Sequence, residues 1–169
     1  MTELWLGSRA HLELEDEAKR FHPLETGGIL VGYFSDHGTP VVYAVVGPGP
    51  GAVHRRLRFT PDHAWQCHQL DMLFEQSDGL WTYIGDWHTH PDGVPQMSWL
   101  DRRTLRSIAK HPDARTPRPV MLIGGGRGGD WRWLAHQYCS DRLLGLSATS
   151  DTLEVRIFEA SSAVSSSGE

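Results

Sequence analysis

The sequence predicts an α+β domain, layered in the α/β manner, with a mostly antiparallel central sheet flanked by helices. Apolar runs of strand length, such as Ile29–Phe34, Val41–Val46 and Leu80–Trp87, are interspersed with stretches whose apolar residues recur at helical spacing. The first two runs are joined directly by the turn signal Ser35-Asp36-His37-Gly38, which favours antiparallel neighbours. Strands and helices do not alternate strictly, as an all-parallel sheet would require.

At 169 residues the chain is long enough for one domain with a real core, expected over residues 1–160, followed by a Ser-rich tail at 161–169 with the composition of disorder. A hydrophobic fraction of 39% and a charged fraction of 22% are those of an ordinary soluble protein. No apolar run has transmembrane length and the N-terminus lacks signal-peptide regions, so a cytoplasmic location with no membrane partner is expected. Cys67 and Cys139 belong to no short metal motif and need no disulfide to explain them. A net charge of -5 argues against a nucleic-acid partner. A local basic run (Arg102, Arg103, Arg106, Lys110, Arg115 and Arg118) reads first as a solvated face and second as a docking patch for an acidic partner.

Leu4–Leu6 is a short first strand. Ser8 is expected to cap a helix over 9–20, with Leu14, Ala18 and Phe21 at helical spacing, acidic residues toward its start and Lys19-Arg20 at its end. His22-Pro23 stops it. Ile29–Phe34 and Val41–Val46 form a hairpin buried on both faces, and Gly47–Gly51 is a loop. A short strand is expected over 56–59. Thr60-Pro61 then opens a helix to about Gln76, with Ala64, Trp65, His68, Met72 and Leu73 on one side. Leu80–Trp87 delivers two histidines, and Trp99 to Lys110 is a helix turning Leu100, Leu105, Ile108 and Ala109 inward. Pro119–Ile123 and Trp131–Tyr138 are strands joined by a wide glycine-rich turn, and Leu153–Phe158 is the last strand. Trp65, Trp131 and Trp133 read as core or cover residues.

The chemistry concentrates in Trp87-His88-Thr89-His90-Pro91 and Ser98-Trp99-Leu100-Asp101. Side chains two apart on a strand share a face, so His88 and His90 can reach one ion. Asp101 lies one turn into the following helix. Three nitrogen and oxygen ligands suit a catalytic zinc site, which leaves a fourth position for water. Ser98 is equally well explained as a helix N-cap, with Asp101 favoured in the first turn by the dipole. Glu25, before Gly27-Gly28, is a candidate base; from residue types alone, a surface glutamate at a strand start is the commoner outcome.

Glu25, His88-Thr89-His90-Pro91 and Ser98-Trp99-Leu100-Asp101, with ten residues between His90 and Asp101, together resemble the JAMM (MPN+) metalloproteases of the JAB-domain family. The flanks Glu25–Gly32, Gly47-Pro48-Gly49-Pro50, Phe59–Asp62 and Gly85–Pro91 are similar to bacterial members, and the likeness spans roughly 10–138. It departs at Met97, where many members have proline, and in having no long insertion after the catalytic helix, which puts selectivity among polyubiquitin linkages in doubt. The resemblance implies a JAMM/cytidine-deaminase-like fold and one Zn²⁺ per chain, held by His88, His90 and Asp101 with water in the fourth place. It implies Glu25 as general base and then acid, and Ser98 as oxyanion donor. The activity it implies is isopeptidase or peptidase cleavage at the C-terminus of a ubiquitin-like protein, by deconjugation from a target or precursor processing. Partners would be that protein or its conjugate, together with activating and conjugating (E1- and E2-like) enzymes, as in operons for antiphage defence. The substrate tail is expected to add as a strand beside an edge within residues 47–59. The alternatives are a trimming peptidase for a sulfur-carrier protein or small peptide, and a non-catalytic MPN-type scaffold. A zinc nuclease or nucleotide hydrolase is discouraged by the acidic balance.

Overall fold

The computed structural model describes residues 3–139 and 150–159; the expected tail at 161–169 lies outside them. Its order is β1 (Glu3–Gly7), α1 (Ser8–Phe21), β2 (Gly27–Phe34), β3 (Pro40–Val46), β4 (Val53–His54), β5 (Phe59–Thr60), α2 (His63–Gln76), β6 (Thr82–Pro91), α3 (Trp99–Lys110), a 3-10 turn (Pro112–Ala114), β7 (Val120–Arg127), β8 (Asp130–Tyr138) and β9 (Ser150–Phe158). Mixed α+β content is as expected. The sheet is not an open layer, however: β3-β2-β6-β7-β8-β9-β1 closes into a barrel, β1 pairing in parallel with both β9 and β3. Antiparallel pairings hold a narrow majority, β2 with β3 and β6, and β8 with β7 and β9. The β6–β7 pair is parallel, with α3 as its crossover.

The barrel interior is filled by Leu4, Leu6, Leu30, Val42, Ile84, Trp87, Val120, Leu122, Ala135 and Leu153, closed at one side by Ala10 and Leu14 of α1. Burying one such side chain stabilises by roughly 1.5–3 kcal/mol. α1 presents its apolar stripe here, but Ser8 does not cap it. Gly7 is the N-cap, with no side-chain bond, while Ser8 Oγ donates to Glu159 at 3.0 Å. The acidic residues of α1 stand beyond its first turn and the basic ones in its last.

α2 covers the outer face of β2 and β3 through Trp65, Leu70 and Leu73, packed on Ile29, Val31 and Val46. Ala64, His68 and Met72 are exposed instead of facing inward. Its cap is Asp62, whose carboxylate accepts from Trp65 N–H, because Thr60 is taken up by β5. The strand expected over 56–59 is a two-residue ribbon, β4 paired with β5. α3 buries Leu105 against Met97, Met121, Ile123 and Tyr138, with Ala109 at the margin, whereas Leu100 is 48% exposed. β7 and β8 run through the glycine segment to Arg127 and Asp130, so the turn is tight, at Gly128-Gly129. No helix among the described residues is long and apolar enough to cross a membrane.

Candidate metal centre

β6 continues four residues past the end of its apolar run, to Pro91, and this extension carries both histidines onto one face of the barrel rim. The rim is held by β2 on one side, with Gly27 opposite His88, and by β7 on the other, with Ile123 opposite His88 and Gly125 opposite His90. Residue 27 has to be glycine. A Cβ there would sit 2.5 Å from the Trp87 carbonyl oxygen and 3.0 Å from His88 Cβ.

α3 supplies the third group. Ser98 Oγ accepts from Asp101 N–H at 3.2 Å, and Asp101 Oδ2 accepts from Ser98 N–H at 2.7 Å, a reciprocal capping box. The cap aims the Asp101 carboxylate at the strand: Oδ1 lies 3.2 Å from His88 Nε2 and Oδ2 lies 3.5 Å from His90 Nε2. The two Nε2 atoms are 3.0 Å apart. Tetrahedral zinc with ligands at 2.0–2.2 Å requires ligand atoms about 3.3 Å from one another. The three spacings straddle that value, so the donor set fits a zinc-sized ion.

His90 is oriented from behind. Its Nδ1 donates to the Val94 carbonyl at 3.0 Å, which fixes the tautomer and leaves Nε2 as an electron-pair donor. Val94 is itself positioned, because the Val94-Pro95 segment rests on Gly125, where a Cβ would lie 2.5 Å from Val94 C and 2.6 Å from Pro95 N. His136, buried in β8, bonds the Pro95 carbonyl through Nε2 at 3.1 Å. Burial lowers the pKa of His136, more than its bond to Pro95 raises it, and Arg102 lowers it further.

Glu25 lines the same cleft as His88 and Asp101, a space of about 310 Å³ bounded also by Leu57, Phe59, Leu100 and Thr104. Its backbone is fixed from both sides. Glu25 N–H donates to the Arg55 carbonyl, and its own carbonyl accepts from His54 Nδ1 at 2.9 Å. His54 is stacked on Phe21 with ring centroids 3.8 Å apart. Burial raises the Glu25 carboxyl above its ordinary range; the nearby His88 and His90 oppose this and Asp101 adds to it. Burial would also raise Asp101, but hydrogen bonds from both histidines outweigh it and hold Asp101 well below the usual carboxylate range. Burial lowers His90, and its bonds to Asp101 and Val94 more than reverse that.

Glu25, His88, His90 and Asp101 are thus gathered around one cleft, with Ser98 one cap away. Sequence reasoning missed the layer behind them: Thr26, His54, Thr89, Val94, Gly125 and His136. His54 stands in an Arg-rich ribbon and carries no local signal. Gly125 does carry one, a glycine directly after a strand-like run, which a reading of the glycine segment as a wide turn passes over.

Residues 8–136 match the family of prokaryotic homologues of the JAB domain. The chain is 40% identical over 136 residues to a probable metalloprotease, y4qB, of Sinorhizobium fredii, covering 80% of this chain and 82% of that protein. It is 35% identical over 104 residues to a CD-NTase/cGAS isopeptidase of Enterobacter hormaechei, covering 60% of this chain and 56% of the relative. The solution structure of protein DSY2949 from Desulfitobacterium hafniense shares the fold, with a TM-score of 0.68 at 18% identity over 93% of this chain and 94% of that one. The chain belongs to the prokaryotic JAB-domain homologues and is a JAMM-type metalloprotease.

Proposed function

We propose that this protein is a zinc-dependent isopeptidase or peptidase that cleaves at the C-terminal end of a ubiquitin-like protein, releasing it from a target or trimming its precursor. The observation that carries the reading is the spacing of His88 Nε2, His90 Nε2 and the Asp101 carboxylate beside a glutamate whose carboxyl is raised by burial. The isopeptidase relatives favour it over a trimming peptidase for a sulfur carrier.

His88, His90 and Asp101 would hold one zinc. When bound, zinc supplies Lewis acidity, lowering the pKa of water to about 7 and polarising a carbonyl. Glu25 takes a proton from the attacking water and returns it to the leaving amine, a role for which a carboxyl of raised pKa is better matched than an ordinary one. Ser98 Oγ spends a lone pair on Asp101 N–H and keeps its own proton to donate to the developing oxyanion. Val94 keeps His90 in the donor tautomer, and His54 keeps Glu25 in place.

The test pairs metal analysis with cleavage of a fusion in which residues trail a ubiquitin-like C-terminus. Wild type should carry about one zinc per chain and cut the fusion. Glu25→Ala should keep the metal and lose roughly 10²–10⁴ in rate. A purified wild type that takes up no zinc would end the reading, and a fully active Glu25→Ala protein would remove Glu25 from it.

A further inference from the structure

We propose that the cleft leading to His88 and Asp101 is selective for an extended partner segment bearing carboxylates on either side of an apolar residue. The inference rests on the reading that the site cuts at a partner's C-terminal end, and adds the charge of the segment that enters. The cleft has two walls. Leu57, Arg58 and Phe59 of the β4–β5 ribbon form one, and Leu100, Asp101 and Thr104 of α3 form the other. Leu57 is 88% exposed and Leu100 48%, leaving apolar surface at the entrance that none of the described residues covers.

The charge around that surface is of one sign. The ribbon, residues 53–60, contains Arg55, Arg56 and Arg58 and no acidic residue. α3 contains Arg102, Arg103, Arg106 and Lys110, and its only carboxylate is Asp101, already turned onto the histidines. Some arginines elsewhere are paired within the chain, Arg9 with Glu13, Arg20 with Glu17, and Arg156 with Glu3 and Glu154. Arg55, Arg56, Arg58, Arg102 and Arg103 are exposed and make no ion pair among the described residues. The protein as a whole carries -5, so this basic face runs against its general balance. Three carboxylates do line the cleft itself, but Asp101 is turned onto the histidines, Asp86 accepts from the Tyr83 hydroxyl at 2.7 Å, and Glu25 stands beside the histidines; Asp113 lines the adjoining groove between α2 and α3. An acidic segment is therefore drawn to the entrance, while an arginine-bearing one meets like charge on both walls, which is how interfaces reject wrong partners.

The test uses the full-length, zinc-loaded Glu25→Ala protein and fluorescent peptides that share one leucine but carry acidic, neutral or arginine residues around it. The acidic peptide should bind roughly tenfold tighter than the neutral one, and lose that margin as salt rises from roughly 0.05 to 0.5 M. Arg58→Glu combined with Arg103→Glu should invert the order of acidic and arginine peptides. Arg127→Glu, an equal charge change at the β7–β8 turn, should not. Equal binding of all three peptides, or preference for arginine, overturns the inference. Cleavage by wild type is scored separately: selective binding without cleavage of any tail leaves this inference standing and removes the isopeptidase reading.

Discussion

Thr26 and Thr89 hold each other across the seam where the two halves of the site meet. Thr89 Oγ1 accepts from Thr26 N–H at 3.1 Å, and Thr89 N–H donates to the Thr26 carbonyl at 2.9 Å, with both residues fully buried. One is the neighbour of Glu25 and the other stands between His88 and His90. The distance between Glu25 and the histidines is thereby set by two backbone-anchored hydrogen bonds instead of by the Glu25 side chain alone.

Thr89→Val should show this. It keeps the shape and removes the acceptor for a buried N–H, which costs about 1–3 kcal/mol. Denaturant unfolding should report that loss, and the cleavage rate should fall while zinc content stays at the wild-type level. Thr89→Ser should restore the rate. A Thr89→Val enzyme with unchanged rate would show that Glu25 is fixed by His54 and the ribbon without help.

Gly125 and Gly129 should respond oppositely to alanine. At Gly125 a Cβ meets the Val94-Pro95 backbone, while at Gly129 nothing lies within 4 Å. Gly125→Ala should cost about 1–3 kcal/mol, the usual range for overpacking, and should also weaken metal retention against a chelator, because the segment displaced carries the Val94 carbonyl that orients His90. Gly129→Ala should change neither.

Metal should also be visible as stability. An ion that binds the folded state alone adds about 2.7 kcal/mol at a hundredfold excess over Kd. Thermal unfolding with and without zinc should separate in wild type and coincide in His88→Ala. Asp101→Asn keeps a side chain able to accept from Ser98 N–H, so α3 should stay folded by circular dichroism while the zinc-dependent shift shrinks.

His136 gives a pH dependence of known sign. Its pKa is lowered by burial in the folded state, so below its unfolded value of about 6.5 the unfolded chain binds the proton more readily. Its contribution to stability is full above that pH and is lost as pH falls toward the folded value. Unfolding free energy compared between wild type and His136→Gln, from pH 8 down to 5, should show an excess acid loss in wild type. A constant difference would mean His136 does not titrate in this window.

Local patterns made the chemistry legible. His88 and His90 are two apart on a strand, Ser98 and Asp101 are a capping box, and each needed only neighbouring residues to be read. Glu25 had no local mark; only its joint appearance with the other two motifs singled it out. What stayed hidden depends on contacts made across the barrel. Asp62, not Thr60, caps α2, because Thr60 pairs with Val53. The Gly124–Gly126 run belongs to a strand packed on both faces, by Trp133 on Gly124 from the core side and by the Val94-Pro95 segment on Gly125 from the other side. Closure of the sheet rests on parallel pairing of the first strand with the last, the longest-range contact in the fold and one without a turn to announce it.

That closure also decides where a foreign strand can attach. A sheet that returns on itself has no margin to offer, so it cannot template another chain or be extended by one. Among the described strands, the only ones outside the barrel are β4 and β5, beside the cleft. Among the described residues, the strand edges left free for backbone pairing are therefore those of a short ribbon whose Phe59 lines the same cleft as Glu25.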